Sequence, residues 1–372
     1  MDGVVSFNST RIPNEAPCLV IAEAGVNHNG DMGLALKLIE EAAAAGAHIV
    51  KFQTFDAKKL VTAKAPTADY QKRNFDAGAT QLKMLQALEL SHADHRVLSN
   101  RCESLGIEFL STPFDIESAR FLVDAIGVKR IKVGSGELTN APLILALSRL
   151  GLPMILSTGM ASLAEVEQAL SVVAFGLVAE KTAKPSLAAF REAYASTEAR
   201  GALASVTVMQ CTTEYPAPYD EVNLRVMGVY STAFGVLPAY SDHTPGIDIA
   251  LAAAACGATM IEKHFTLSRT MEGPDHKASL EPDELKAMID GIDRIGRAMG
   301  DGVKRPQPSE ISNISVARKS LVAAVDIAEG EMFTERNLAV KRAGGGLAPI
   351  AYFERLGRPA ERAYAADDLI QA

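Results

Sequence analysis

Eight short apolar runs, each followed by a stretch of helical periodicity, constrain the fold of this chain more than any other feature. The runs are CLVIAE (18–23), HIVKFQ (48–53), IEFLS (107–111), RIKVGS (130–135), MILST (154–158), SVTVMQ (205–210), PAYSDH (238–243) and TMIEKH (259–264). Runs this short and apolar read as strands buried on both faces. Between them lie segments such as MGLALKLIEEAAAAG, ending at Gly46, and AEVEQALSVVAFG, ending at Gly176, with apolar residues at i, i+3 and i+4 and a glycine stop. The segment 184–202 predicts a longer helical element before the sixth strand, and PDELKAMIDGIDRIGRAMG predicts the eighth helix. Strand and helix alternating eight times fit a (β/α)8 barrel better than an open sheet.

The polar residues of these units cluster in one place. Glu23, Lys51, Gln53, Thr112, Lys132, Ser135, Ser157, Glu214, His243 and His264 all stand at or just after the carboxyl end of a predicted strand. A barrel carries its active site on that face, so the pattern points to an enzyme. His243 and His264 end neighbouring strands and can share one divalent ion. Two imidazoles leave coordination positions open, as suits Mn²⁺ or a similar ion that also binds substrate oxygen, whereas a structural zinc site is closed by four ligands. His28, in GVNHNG, either lines the site or braces a turn.

Lys51 and Lys132 sit between apolar neighbours, where an unpaired ammonium is costly. Such lysines serve as imine nucleophiles or as clamps for anions. The hydroxyls of Ser135 and Ser157 and the GSG backbone beside Lys132 favour the clamp. Glu23, Glu137, Glu214 and Asp275 supply carboxylates on four loops of the same face, able to bind hydroxyls or move protons. Tyr215 either packs on a sugar face or braces the prolines that follow it.

After residue 300 the texture changes. Residues 301–315 read as a linker, and residues 316–372 as a compact, loop-rich domain with too few residues for a large core. Hydrophobic residues make up 48 % of the 372, enough for a large barrel core over residues 1–300. The net charge of −8 argues against nucleic acid as a partner, while a small anionic substrate needs only a few local cations. No apolar run reaches the roughly 20 residues of a membrane span, and the start MDGVVSFNSTRIPNE lacks a signal-peptide pattern, so a cytoplasmic location is expected. Cys18, Cys102, Cys211 and Cys256 lie far apart and read as buried free thiols.

The segments IAEAGVNHNG, VKFQTF, APTADYQ, LSTPFD, KVGSGELTN, ILSTGMAS, QCTTEYPAPYDEVNL, YSDHTPG and IEKHFTLSRTMEGPDHKASLEPDEL together resemble the bacterial sialic acid (N-acetylneuraminate) synthase family. The stretch ARKSLVAAVDIAEGEMFTERNLAVKRAGGG is similar to that family's C-terminal antifreeze-like (SAF) domain. The resemblance implies a TIM barrel with a small β-clip domain that condenses phosphoenolpyruvate with N-acetylmannosamine to N-acetylneuraminate and phosphate. The same chemistry on a 2,4-diacetamido-dideoxy hexose, giving legionaminic or pseudaminic acid, is the alternative, and a non-catalytic carbohydrate-binding protein is a remote one.

By resemblance, His243 and His264 hold Mn²⁺ or Mg²⁺. Lys51, Thr112 and Ser241 lie near the phosphoenolpyruvate carboxylate, and Lys132, Ser135 and Ser157 lie around its phosphate. Glu23, Gln53, Tyr215 and Asp275 face the amino sugar, with Glu214 at a variable position among relatives, and Glu137 orients the attacking water. Arg342 matches an arginine projected into the partner's barrel, which implies a domain-swapped homodimer. Here VKRAGGG replaces the usual VKRPGNG, so Ala343 and Gly345 loosen the turn that aims it.

Overall fold

The computed structural model describes residues 18–63, 65 and 80–371. The segment MDGVVSFNSTRIPNE, and APTADYQ beyond its first residue, lie outside the described residues. The chain divides into two compact units between Asp301 and Gly302.

The first unit alternates strand and helix as expected. Its strands are β1 (Leu19–Gly25), β2 (Ile49–Thr54), β3 (Glu108–Pro113), β4 (Ile131–Val133), β5 (Met154–Ser157), β6 (Thr207–Gln210), β7 (Leu237–Asp242) and β8 (Met260–His264). They hydrogen-bond in the order β3-β2-β1-β8-β7-β6-β5-β4, every pair parallel, and the two end strands β3 and β4 lie against each other. This is a TIM-like (β/α)8 barrel. Outward-facing strand residues such as Val20, Val50 and Ile261 pack under the helices, while Ile21, Ile49, Leu110, Ile155, Met209, Ala239 and Met260 form a separate apolar plug.

Local signals explain most helix ends. Asp31 caps helix Met32–Ala45 by accepting from the Leu34 amide, and Gly46 closes it in the left-handed region at φ +90°. Gly176 differs from the expected stop, because helix Leu163–Val178 runs through it. Its role is clearance: a Cβ there would lie 1.7 Å from Ser148 Oγ on helix Ala141–Ser148. Gly176→Ala is therefore expected to lower stability by about 1–3 kcal/mol despite its better helix propensity, as read by denaturant unfolding. The segment 184–202 forms two helices, Leu187–Ala195 and Thr197–Leu203, because Ser196 between them caps the second.

From the middle of the stretch read as a linker to two residues past its end, the chain forms helix Pro308–Ala317, which buries none of its residues. The second unit carries the antiparallel pair β9 (Lys319–Ala323) and β10 (Leu338–Arg342) around a small core that includes Leu321, Ile327, Phe333, Tyr364 and Ile370. All four cysteines are free. Cys102 and Cys211 are buried, but Cys18 is only partly so and Cys256 is exposed, because its place at the carboxyl end of helix Asp248–Ala255 faces outward. No described helix is long and apolar enough to cross a membrane.

Candidate active site

The strand period of two builds the site directly on the apolar plug. Moving two residues toward the carboxyl end turns Ile21 into Glu23, Ile49 into Lys51, Leu110 into Thr112, Ile155 into Ser157, Met209 into Cys211, Ala239 into Ser241 and Met260 into Glu262. Every one of these seven lines a single cavity of about 400 Å³, with Gln53, Lys132, Ser135, Glu137, Tyr215, His243, His264 and Asp275. The plug closes the barrel from below, and the polar layer above it meets the cavity.

Charge in that layer is paired across strands. Lys51 Nζ lies 2.6 Å from Glu23 Oε2 and 3.7 Å from Glu262 Oε2, and donates to Thr112 Oγ1 at 3.2 Å. Lys132 Nζ donates to Ser157 Oγ at 2.6 Å and lies 3.4 Å from Glu262 Oε1, which also accepts from Ser241 Oγ at 2.9 Å. Glu262 thus ties both lysines together. Burial pushes its carboxyl up, but Lys132, Lys51 and the Ser241 hydroxyl outweigh burial and hold it at about 2. Burial pushes the Glu23 carboxyl up as well, and there it prevails over the pull of Lys51, to about 7. Burial lowers Lys132, whereas Glu23 and Glu262 outweigh burial and raise Lys51.

Beyond Lys132 lies a group of small donors. The Gly159 amide donates to Ser135 Oγ at 3.0 Å and to Cys211 Sγ at 3.1 Å, and a Cβ on Gly159 would stand 2.1 Å from Thr213 Oγ1. Glu137 accepts from the Asn140 side chain at 2.6 Å.

His243 and His264 do converge, with ring centroids 5.5 Å apart and Tyr215 against both, at 4.2 and 5.5 Å. His243 Nδ1 is 2.6 Å from the Thr212 carbonyl, which fixes that nitrogen as the donor and leaves Nε2 with a lone pair. His264 Nδ1 is buried without a hydrogen-bond partner among the described residues, 3.9 Å from Asp275 Oδ2. Burial lowers both imidazoles and so keeps them neutral, the form that binds metals, and it raises the Asp275 carboxyl to about 6. No cluster of three or more preassembled ligands is present among the described residues. An orphaned imidazole nitrogen, a second oriented imidazole and a nearby carboxylate fit a divalent cation whose remaining positions go to substrate and water.

Two expected residues are exposed. Glu214 is exposed and does not line the cavity, because its neighbour Tyr215 takes the inward place in that loop. Arg342 is exposed at the end of β10 in the second unit. His28 braces the turn: its Nδ1 accepts from the Gly30 amide at 3.0 Å, and burial lowers it to about 4. The sequence reading missed Glu262, Cys211, Thr213 and Gly159, although Glu262 was legible two residues before His264 on the same strand face. It also missed the buried pair Lys263 and Asp242, at 2.8 Å, which lies directly behind the two histidines.

The NeuB family model matches residues 38–304 and the SAF domain model residues 318–372. The N,N'-diacetyllegionaminic acid synthase of Campylobacter jejuni is 48 % identical over 95 % of this chain and 98 % of its own length. The enzyme of the same name from Legionella pneumophila is 41 % identical over 89 % of this chain and 87 % of its own. The crystal structure of an N-acetylneuraminic acid synthetase from Leptospira borgpetersenii superposes with a TM-score of 0.64 at 31 % identity, over 80 % of this chain and 90 % of that one. With its barrel, its clustered site and these relatives, the chain belongs to the NeuB family, as a transferase of the phosphoenolpyruvate-dependent nonulosonic acid synthase type with a C-terminal SAF domain.

Proposed function

We propose that this enzyme condenses phosphoenolpyruvate with a 2,4-diacetamido-dideoxy hexose to give a diacetamido nonulosonic acid, of the legionaminic type, and phosphate. The observation that carries the choice of sugar is the 48 % identity, over almost the full length, to a synthase of that name, against 31 % to the N-acetylneuraminic acid synthetase. This reverses the order of the two sugars favoured by the motifs, which handle parts that both substrates share.

The site supports the chemistry residue by residue. Lys132, Ser157, Ser135 and the Gly159 amide surround the phosphate, with Lys51, Thr112 and Ser241 at the carboxylate. Glu262 stays ionised and holds the two ammonium groups in place between turnovers. Cation residence falls to His243 and His264 with Asp275 alongside, and a divalent ion bound there supplies Lewis acidity toward the aldehyde oxygen. The C2=C3 π pair of phosphoenolpyruvate forms the new bond to the aldehyde carbon as its C=O opens to an alkoxide; water, oriented by Glu137, adds at C2 and gives up a proton that the alkoxide takes, and the C2–O bond to the phosphate then breaks, leaving the C2 ketone and phosphate. Glu23, which lines the cavity beside Lys51, serves as a carboxylate for the sugar hydroxyls.

A role for Arg342 and a domain-swapped homodimer belong to the same proposal and rest on the resemblance of VKRAGGG to the family's arginine segment. Arg342→Ala is expected to raise the sugar KM about tenfold, the order of one charge-assisted hydrogen bond, with the phosphoenolpyruvate KM unchanged. Steady-state kinetics in both substrates check this. The substrate assignment is tested by phosphate release from phosphoenolpyruvate with metal-stripped protein, with and without Mn²⁺, offering the diacetamido sugar and N-acetylmannosamine in parallel. A higher kcat/KM for N-acetylmannosamine overturns the assignment, and no release with any sugar overturns the reaction.

A further inference from the structure

Above the polar layer, one part of the cavity wall is apolar. Around the barrel, the side chains assigned to the phosphate stand on or just after β4 and β5 and the two histidines at the ends of β7 and β8, while Lys51 and Thr112, assigned to the carboxylate, lie in the polar layer on the plug. Continuing in the same direction come β1, β2 and β3, and the loops after them contribute Leu60, Val61, Met84, Leu85, Leu88 and Phe114 to the lining. Here helix Ala57–Leu60 and helix Gln81–Leu88 stand over the barrel mouth on an apolar cluster of their own, with Phe55 and Phe114 edge to face at 6.0 Å. Gly30 lets the second of these helices come close: at φ +75° it meets the Ala87 carbonyl where a Cβ would lie only 2.4 Å away. The wall is therefore braced against the barrel.

We propose that this wall selects the sugar, by packing on the acetamido methyl and the deoxy end of a 2,4-diacetamido-dideoxy hexose. The inference rests on the substrate assignment above. With the aldehyde at the histidines, the phosphate toward β4 and β5 and the carboxylate down in the Lys51–Thr112 layer, the far end of the open sugar chain extends toward the loops that follow β1–β3. A diacetamido-dideoxy hexose replaces hydroxyls of N-acetylmannosamine by an acetamido group and hydrogen. Hydroxyls pressed on leucine, valine and phenylalanine lose water without gaining a partner, whereas a methyl gains contact. The Gln53 and Gln81 amides also line the cavity and can meet the acetamido carbonyl and N–H. Such a wall discriminates by rejecting the more polar sugar as well as by holding the less polar one.

The test uses the full-length, Mn²⁺-loaded enzyme with Val61→Thr and Leu85→Gln, singly and together. Both positions are only partly buried, and Val61→Thr keeps the side-chain shape, so folding is preserved in at least that variant. The quantity read is the ratio of kcat/KM for the diacetamido sugar to that for N-acetylmannosamine. The ratio is expected to fall about ten- to a hundredfold in the double variant, in the range set by small changes to an apolar pocket, with an unchanged KM for phosphoenolpyruvate. A wild type that prefers the diacetamido sugar, with variants that keep its ratio, overturns the wall's role and leaves the substrate assignment standing. A wild type that prefers N-acetylmannosamine overturns the substrate assignment and the wall's role together.

Discussion

His264→Ala and His243→Ala proteins are each expected to fold normally and to lose about a thousandfold or more in kcat/KM, as a result of removing several kcal/mol of transition-state stabilisation. The two imidazoles stand 5.5 Å apart, buried and neutral, with His264 Nδ1 lacking a hydrogen-bond partner among the described residues. Removing either imidazole leaves one nitrogen and the Asp275 carboxylate for the cation, so Mn²⁺ affinity, measured by titration calorimetry, should fall alongside activity. Normal Mn²⁺ affinity with normal turnover in either variant would remove the metal assignment. Loss of turnover with unchanged Mn²⁺ affinity would instead make that histidine a group acting directly on substrate. Stability should change little, because the deleted rings face the cavity.

The largest effect on stability is expected behind the site. Lys263 and Asp242 follow Glu262 and Ser241 on the outward faces of β8 and β7, where both side chains are fully buried. Lys263 Nζ also donates to the Thr244 carbonyl at 2.5 Å, and Asp242 accepts from Tyr240 and from the Thr244 amide and hydroxyl. Burial lowers Lys263, and Asp242 works against that shift. Lys263→Met leaves the Asp242 charge without its cation in an apolar interior. The expected cost is about 3–5 kcal/mol, since breaking one partner of a buried pair strands the other. Urea or guanidinium unfolding measures it, and a change below about 1 kcal/mol would show that Asp242 is satisfied by its hydroxyl and amide donors alone. The double replacement Asp242→Asn with Lys263→Met should recover part of the loss, because no isolated charge then remains.

Much of the fold was legible because its signals are local. Each of the eight strands falls on a predicted apolar run, shifted by a residue or two, since short apolar runs bounded by polar residues have few other uses. The glycine stop at Gly46 was correct and the one at Gly176 was not. A left-handed C-cap and a close helix crossing place the same demand on sequence, a residue without a Cβ, and only the neighbour Ser148 separates them. Cys256 was misread for a similar reason: an Ala-rich helix does not say which of its faces is covered.

The site divides along the same line. Strand-end position was enough to bring the lysines, the histidines and Glu23 to one cavity, because in a barrel the carboxyl ends of the strands share one rim whatever the loops do. Side-chain pairing was not legible. Glu262 became the link between Lys51 and Lys132 only when β8 was seen beside β1 and β7, and Glu214 fell away because Tyr215 turned inward in its place. By itself, then, the sequence determined the alternation, the barrel and the rim on which chemistry gathers, all consequences of periods of two and 3.6 residues. The tertiary structure alone decided which charges neutralise one another and which wall is left apolar. Those outcomes depend on distances of a few ångströms between strands and loops far apart in the chain.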